Sequence, residues 1–181
     1  MSIALETPRR TAANDQRVVS ARRIVGIGEF AVSNVDGETI LTHALGSCIA
    51  VCVWDLQARV AGLLHFLLPD ATINAERARA QPAAFANTGI PLLFQAAYAL
   101  GLEKRRCTVR LIGGAEVTGL ARAGSLNVGK RNLLAARNIL WRNGVLINAE
   151  ATGGHVPRTV ALHVRDGLIE VTSGRVLVRE L

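Results

Sequence analysis

Two short apolar runs constrain what this chain can fold into more than any other feature. Ile49 to Trp54 reads Ile-Ala-Val-Cys-Val-Trp, and Val60 to Leu68 reads Val-Ala-Gly-Leu-Leu-His-Phe-Leu-Leu. Both have strand length and aliphatic, partly β-branched composition, and Pro69-Asp70 ends the second. Asp55-Leu56-Gln57-Ala58 joins them, an ordinary hairpin connection. Pairing Trp54 with Arg59 and counting outward sets Cys52 opposite Ala61, Ala50 opposite Leu63 and Cys48 opposite His65. Directly opposed residues share one face of a sheet, with Cβ atoms about 4.5–5.5 Å apart, so this register puts a thiol within reach of an imidazole. A slip of one residue would carry His65 to the other face.

The chemistry of such a pair is direct. A free thiol has a pKa of about 8.5, so little of it is thiolate at neutral pH. A neighbouring imidazole can take its proton and leave a strong nucleophile. Cys48 follows Gly46-Ser47, a small-residue corner where the backbone N–H groups around Ser47 and Ile49 can hold an oxyanion. Spacing alone leaves a second reading open, in which Cys48 is a small buried hydrophobe and His65 a core histidine. Cys52 lies about 13 Å along the same strand from Cys48, beyond the roughly 7 Å that a disulfide spans. That distance also disfavours a zinc site built from Cys48, Cys52, His43 and His65, so no metal is predicted. Cys52 and Cys107 read as core packing. No G-x-S-x-G elbow surrounds Ser47, which leaves it a turn residue rather than a nucleophile.

The rest of the chain reads as α+β. Of its 181 residues half are hydrophobic but only 4% aromatic, so the core is aliphatic. Residues 1–23, polar and arginine-bearing, read as a mobile basic tail, and 24–181 as a single domain. Further strands are predicted at the start of that domain, at Glu38–Thr42, at Thr108–Ile112 and at Val145–Ala149. C-terminal hairpins are predicted at Asp166-Gly167 and Ser173-Gly174. Helices are predicted over Ile90–Leu100 and Asn132–Arg142, and a loop or flap over 70–84. Strands that outnumber helices and run in groups indicate helices packed on a mixed or antiparallel sheet. Three cysteines, no secretory pattern and no membrane-length apolar run predict a reducing, cytoplasmic location. The net charge of +7 suits an acidic partner or simply a solvated surface. The basic clusters, Lys130-Arg131 among them, lack the interleaved aromatics that stack on bases, which argues against nucleic acid.

Several segments together resemble one family. Leu45 to Asp55, Leu-Gly-Ser-Cys-Ile-Ala-Val-Cys-Val-Trp-Asp, resembles the LGSC-x-A-V-C-x-x-D signature of CheD proteins. His65-Phe66-Leu67-Leu68-Pro69 resembles the family's HFMLP segment, and Gly113 to Glu116 its GGA motif. Asn127 to Asn132 resembles N-[IV]-G-x-R-N, and Thr152-Gly153-Gly154 the late TGG segment. The matches keep family order over the whole predicted domain. The resemblance implies a catalytic set of Thr42, Cys48 and His65, with Thr42 orienting the imidazole. It implies deamidation of glutamines on the cytoplasmic helices of chemoreceptors, and in some members hydrolysis of receptor glutamyl methyl esters. It implies a layered α/β/α fold with a mixed, largely antiparallel sheet, similar to toxin domains that deamidate glutamine, and no cofactor. Leu64 and Asn87 depart from residues common in the family, which bears on substrate choice. Lys130 and Arg131 are candidate docking residues. The alternatives carried beside this reading are an adaptor that binds a CheC-type phosphatase and a cysteine peptidase.

Overall fold

The computed structural model describes residues 21–116, 128–174 and 176–181. Among them the strands are β1 (Arg22–Ile24), β2 (Glu29–Ser33), β3 (Thr39–Leu45), β4 (Ile49–Asp55), β5 (Val60–Phe66), β6 (Thr108–Gly113), β7 (Ala149–Thr152), β8 (Arg158–His163), β9 (Ile169–Ser173) and β10 (Val176–Glu180). The α-helices are α1 (Ala75–Ala80), α2 (Ala86–Ala99) and α3 (Val128–Arg142). The strands form two mixed, largely antiparallel sheets, ordered β1-β3-β8-β9-β10 and β2-β5-β4-β6-β7. No described helix is long and apolar enough to cross a membrane.

The predicted hairpin is β4–β5, at the centre of its sheet, and every residue of both strands is buried. A strand covered on both faces needs no polar alternation, which is why these runs are continuously apolar. One face, with Ile49, Val51, Val53, Leu64 and Phe66, packs under Leu93 and Ala97 of α2 and Ala136 and Leu140 of α3. The other, with Ala50, Cys52, Ala61 and Leu63, packs on Ile40, Val160, Leu162 and Val171 of the second sheet. The protein is therefore α+β and layered, and its layers run helices, sheet, sheet.

The hairpin register differs from the one counted from the sequence by two residues. Asp55 pairs with Val60 and Ala50 with His65, so Cys48 is not directly opposite His65. The cause is Asp55. It closes the ladder instead of entering the turn, and its carboxylate accepts from the N–H groups of Gln57 and Ala58 at 2.9 and 3.2 Å. The N–H of Glu103 and the guanidinium of Arg106, each at 2.9 Å, hold that carboxylate from outside. A shift of two preserves the face, because side chains alternate with period two. Cys48 and His65 thus still point to the same side.

Other elements depart locally. Residues 70–84 contain α1 flanked by two 3₁₀ turns rather than an open loop. The Asn74 side chain caps α1 by accepting from the Arg77 N–H at 2.9 Å. Both long helices start four residues before their predicted first residue, and α2 ends at Ala99, with Gly101 following at φ 97°. The strand expected over Val145–Ala149 begins only at Ala149, because the Asn148 carbonyl side chain, not a further backbone group, accepts from the Val109 N–H at 2.7 Å. Both C-terminal hairpins form as predicted. Residues 1–20 of the predicted tail lie outside the described residues; Arg22 and Arg23 open β1.

Candidate active site

The corner Gly46-Ser47-Cys48 links the two sheets, running from the end of β3 into β4. Its backbone is tightly held. Ala44 adopts φ 56°, a left-handed conformation unusual for a residue with a side chain. The Cys48 carbonyl accepts from the Gly114 N–H at 2.8 Å, and the Gly46 carbonyl from the Ala115 N–H at 2.7 Å. This contact requires glycine at 113, where any Cβ would collide with the Cys48 carbonyl oxygen. The GGA segment is thereby the floor on which the thiol-bearing corner rests.

Cys48 is 6% exposed and belongs to the inter-sheet core with Ala50 and Cys52, so its side chain faces the second sheet. His65 is fully buried and faces the same way from β5, diagonal to Cys48. Diagonal neighbours have Cα atoms about 7–8 Å apart, a span that side chains of this length can close. Thr42 reaches the imidazole from β3 of the other sheet: its Oγ1 lies 2.7 Å from His65 Nδ1. The same hydroxyl donates to the Val25 carbonyl at 2.7 Å. A hydroxyl has one hydrogen, and the carbonyl takes it, so Oγ1 can only accept from Nδ1–H. The proton of the neutral ring therefore sits on Nδ1, and Nε2 carries the lone pair. Nε2 is buried and has no hydrogen-bond partner among the described residues. The site holds a base with its accepting nitrogen unengaged, on the face that Cys48 shares.

Burial pushes the Cys48 thiol up to about 11, partly offset by its own backbone N–H and by the charge of Arg77. Burial pulls the His65 imidazole down to about 4. At rest the pair is thus a neutral thiol and a neutral imidazole, not an ion pair. His65 also ties stability to pH. Its proton affinity is lower folded than unfolded, so its contribution is complete above pH 6.5 and is lost as pH falls towards about 4. A shift of this size corresponds to about 3 kcal/mol. In urea titrations at pH 7 and pH 4.5, His65→Gln should lose less stability on acidification than the wild type, and equal losses would contradict the assignment.

The remaining candidates fall as follows. Ser47 is held through its carbonyl, which accepts from Asn132 Nδ2 at 3.0 Å, and Ile49 is taken into β4 between Phe66 and Gly113. The backbone N–H that favours the Cys48 thiolate is that of Cys48 itself. Lys130 and Arg131 are exposed on the first turn of α3, next in sequence to Asn132. Arg77 of α1 is tied through Gln81 at 3.3 Å to the Ile27 carbonyl, which Gln81 reaches at 2.9 Å. The next residue, Gly28, donates to the His65 carbonyl at 2.7 Å. The sequence reading had no role for Arg77 or Asn132, although Asn132 sits inside a motif it singled out. Cys52 is buried, with its thiol pushed up to about 12, and Cys107 is half-buried at about 11. A cavity of about 240 Å³ between α2 and α3, lined by Phe94, Tyr98 and Ile139 among others, is separate from this site.

Comparison with known proteins bears on the same residues. The family model described as CheD chemotactic sensory transduction matches residues 67–173. A protein of Syntrophus aciditrophicus named "Probable chemoreceptor glutamine deamidase CheD 1" is 44% identical over 87% of this chain and 98% of its own length. A protein of Anaeromyxobacter dehalogenans with the corresponding name, CheD 2, is 44% identical over 83% of this chain and 93% of its own. Among solved structures, Neisseria meningitidis protein NMB0706 aligns with 78% of this chain and 65% of its own, at TM-score 0.43 and 13% identity.

Proposed function

Because the chain belongs to the CheD family, we propose that it is a protein-glutamine glutaminase that converts glutamine side chains of chemoreceptors to glutamate. The observation that carries this reading is the buried imidazole whose Nδ1–H is committed to Thr42 and whose Nε2 is unengaged on the face of Cys48. The names of its relatives, shared at such identity, support chemoreceptors as the substrate. In the proposed reaction His65 Nε2 takes the Cys48 proton as the sulfur attacks the carboxamide carbon. The oxyanion draws on the Cys48 N–H, and the imidazolium returns its proton to the departing nitrogen, releasing ammonia. A thioester remains. Water, deprotonated by the same Nε2, attacks it, giving a carboxylic acid and the free thiol. A methyl ester would follow the same steps with methanol leaving. The proposed setting is the cytoplasm, where chemoreceptor helices carry these side chains.

The test is to incubate a receptor cytoplasmic fragment with the protein and follow ammonia release and fragment mass. Each conversion replaces NH₂ by OH and adds about 1 Da. A protein that served only as a binding module for a CheC-type phosphatase would release no ammonia.

Recognition should have an electrostatic part. Arg77 on one side of Cys48 and Lys130 and Arg131 on the helix beside Asn132 give the site a basic rim on a chain of net charge +7. Helices rich in glutamate would be drawn to it, and salt would screen the attraction, whose range is about 10 Å at 0.1 M. Raising salt from about 20 to 300 mM should lower kcat/KM of the wild type several-fold. Lys130→Glu/Arg131→Glu should start lower and respond less. Parallel salt curves for the two proteins would make these side chains a solubility feature.

A further inference from the structure

Asn132 is fully buried, yet it lies on a helix whose other buried side chains are aliphatic or glycine. Its amide nitrogen donates to two backbone carbonyls, Ser47 at 3.0 Å and Leu67 at 2.8 Å. These belong to the two segments that carry the reacting pair: Ser47 precedes Cys48, and Leu67 follows the end of β5 two residues after His65. The orientation of the amide is not arbitrary. Turned over, it would set Oδ1 against two carbonyl oxygens and leave both without a donor. Oδ1 itself has no partner among the described residues. A buried, half-satisfied amide is costly in a core, and an aliphatic residue would fill the space without that cost. Close packing brings the helix to this position: a Cβ on Gly129 would lie 2.6 Å from the Gly114 carbonyl oxygen, so glycine there lets α3 settle onto the floor of the corner.

A trans peptide is planar, with its C=O and N–H pointing in opposite directions. Whatever fixes the Ser47 carbonyl therefore fixes the direction of the Cys48 N–H. That N–H belongs to the residue that carries the sulfur and favours its thiolate, so its direction bears on the carbon that the sulfur would attack. We infer that Asn132 is a positioning residue of the reaction: by gripping the Ser47 carbonyl it aims the Cys48 N–H at the developing oxyanion, and by gripping Leu67 it keys that aim to the strand carrying His65. This rests on the glutaminase reading above. Gly46-Ser47 has no other side-chain tether among the described hydrogen bonds, whereas β5 is held by ladders on both sides. Loss of Asn132 should therefore loosen the corner far more than the imidazole.

The inference separates two readouts. Amide hydrolysis passes through an oxyanion; alkylation of Cys48 by iodoacetamide does not. In Asn132→Ala, kcat for a receptor fragment should fall roughly 10- to 100-fold, below the 10²–10³ that direct loss of an oxyanion donor costs. KM should change less than about twofold, and the Cys48 alkylation rate less than about threefold, since neither depends on the oxyanion. Asn132→Ser, which keeps one donor and intrudes less on the core, should fall between Ala and wild type in kcat. Thermal unfolding gives the folded fraction of each variant, and rates are taken per folded molecule. The inference is overturned if kcat per folded molecule in Asn132→Ala stays within about twofold of wild type, or if alkylation falls in step with it, the signature of a merely structural role. If the wild type itself releases no ammonia, the glutaminase reading fails instead, and the two failures are told apart.

Discussion

Cys48→Ala should lower glutamine hydrolysis by roughly 10⁴-fold or more, the scale seen when a covalent nucleophile is removed, while leaving the protein folded. Cys48 is 6% exposed and packs among the small side chains of the inter-sheet layer. Removing one sulfur there should cost about 1 kcal/mol. Cys48→Ser should be nearly as inactive, because a hydroxyl is a far weaker acid than even this raised thiol and the lowered imidazole is a weak base for it. Cys52→Ala should show the opposite balance. Cys52 lies in the same row of side chains but deep in the core, against the second sheet, so its loss is felt in stability and not in turnover. If Cys48→Ala retained a tenth of wild-type turnover in a kinetic assay, no thioester route could stand.

The second large effect concerns His65 and the shape of the pH profile. A neutral base with its proton affinity at about 4 and a neutral thiol at about 11 give a broad plateau between those limits for kcat/KM. The acid limb should therefore lie well below pH 6.5, the midpoint of an unperturbed histidine. His65→Ala should lower the rate at pH 7 by roughly 10²–10⁴-fold. It should also turn the plateau into a rise towards high pH, because only spontaneous ionisation of Cys48 then supplies the nucleophile. Thr42→Val keeps the shape of the side chain but deprives Nδ1–H of its acceptor, freeing the ring to hold its proton on Nε2 instead. A loss of about tenfold with an unchanged acid limb is expected from that tautomer shift. Iodoacetamide labelling followed by peptide mapping checks the same assignment. His65→Ala should slow Cys48 and leave Cys107, whose exposure is greater and which is remote from His65 in the other core cluster, unaffected.

Much of this site was legible in the sequence because it depends on local, period-two geometry. Continuous apolar runs marked β4 and β5 as a buried hairpin, and parity alone placed Cys48 and His65 on one face. The register was not legible. It depends on whether Asp55 ends the ladder or enters the turn, and that is decided by Arg106 and Glu103, some fifty residues away. The partition into two sheets was equally hidden, since no local pattern says whether a polar-flanked strand such as β8 joins one sheet or faces another. Thr42 came from family resemblance rather than spacing. What sets it beside His65 is the packing of β3 across the inter-sheet layer, with the Val25 carbonyl fixing its hydroxyl. Asn132 illustrates the same limit. Its helix was predicted, and its polar character inside a buried face was a visible anomaly, but its two acceptors lie 85 and 65 residues away in sequence. The short helix α1 was within reach, for Asp70 and Asn74 are both capping residues ahead of an alanine-rich stretch.

The most direct test of the central claim is the mass of the enzyme caught in turnover. Wild-type protein is mixed with a receptor fragment, quenched in acid within the first turnover and measured intact. The account predicts a species equal to enzyme plus fragment less about 17 Da, the ammonia expelled on forming the thioester, with the adduct mapped to Cys48 and abolished by hydroxylamine. It should accumulate further in Thr42→Val if that change slows the water step. Steady release of ammonia with no adduct at Cys48 at any quench time, and with undiminished turnover by Cys48→Ala, would contradict the account.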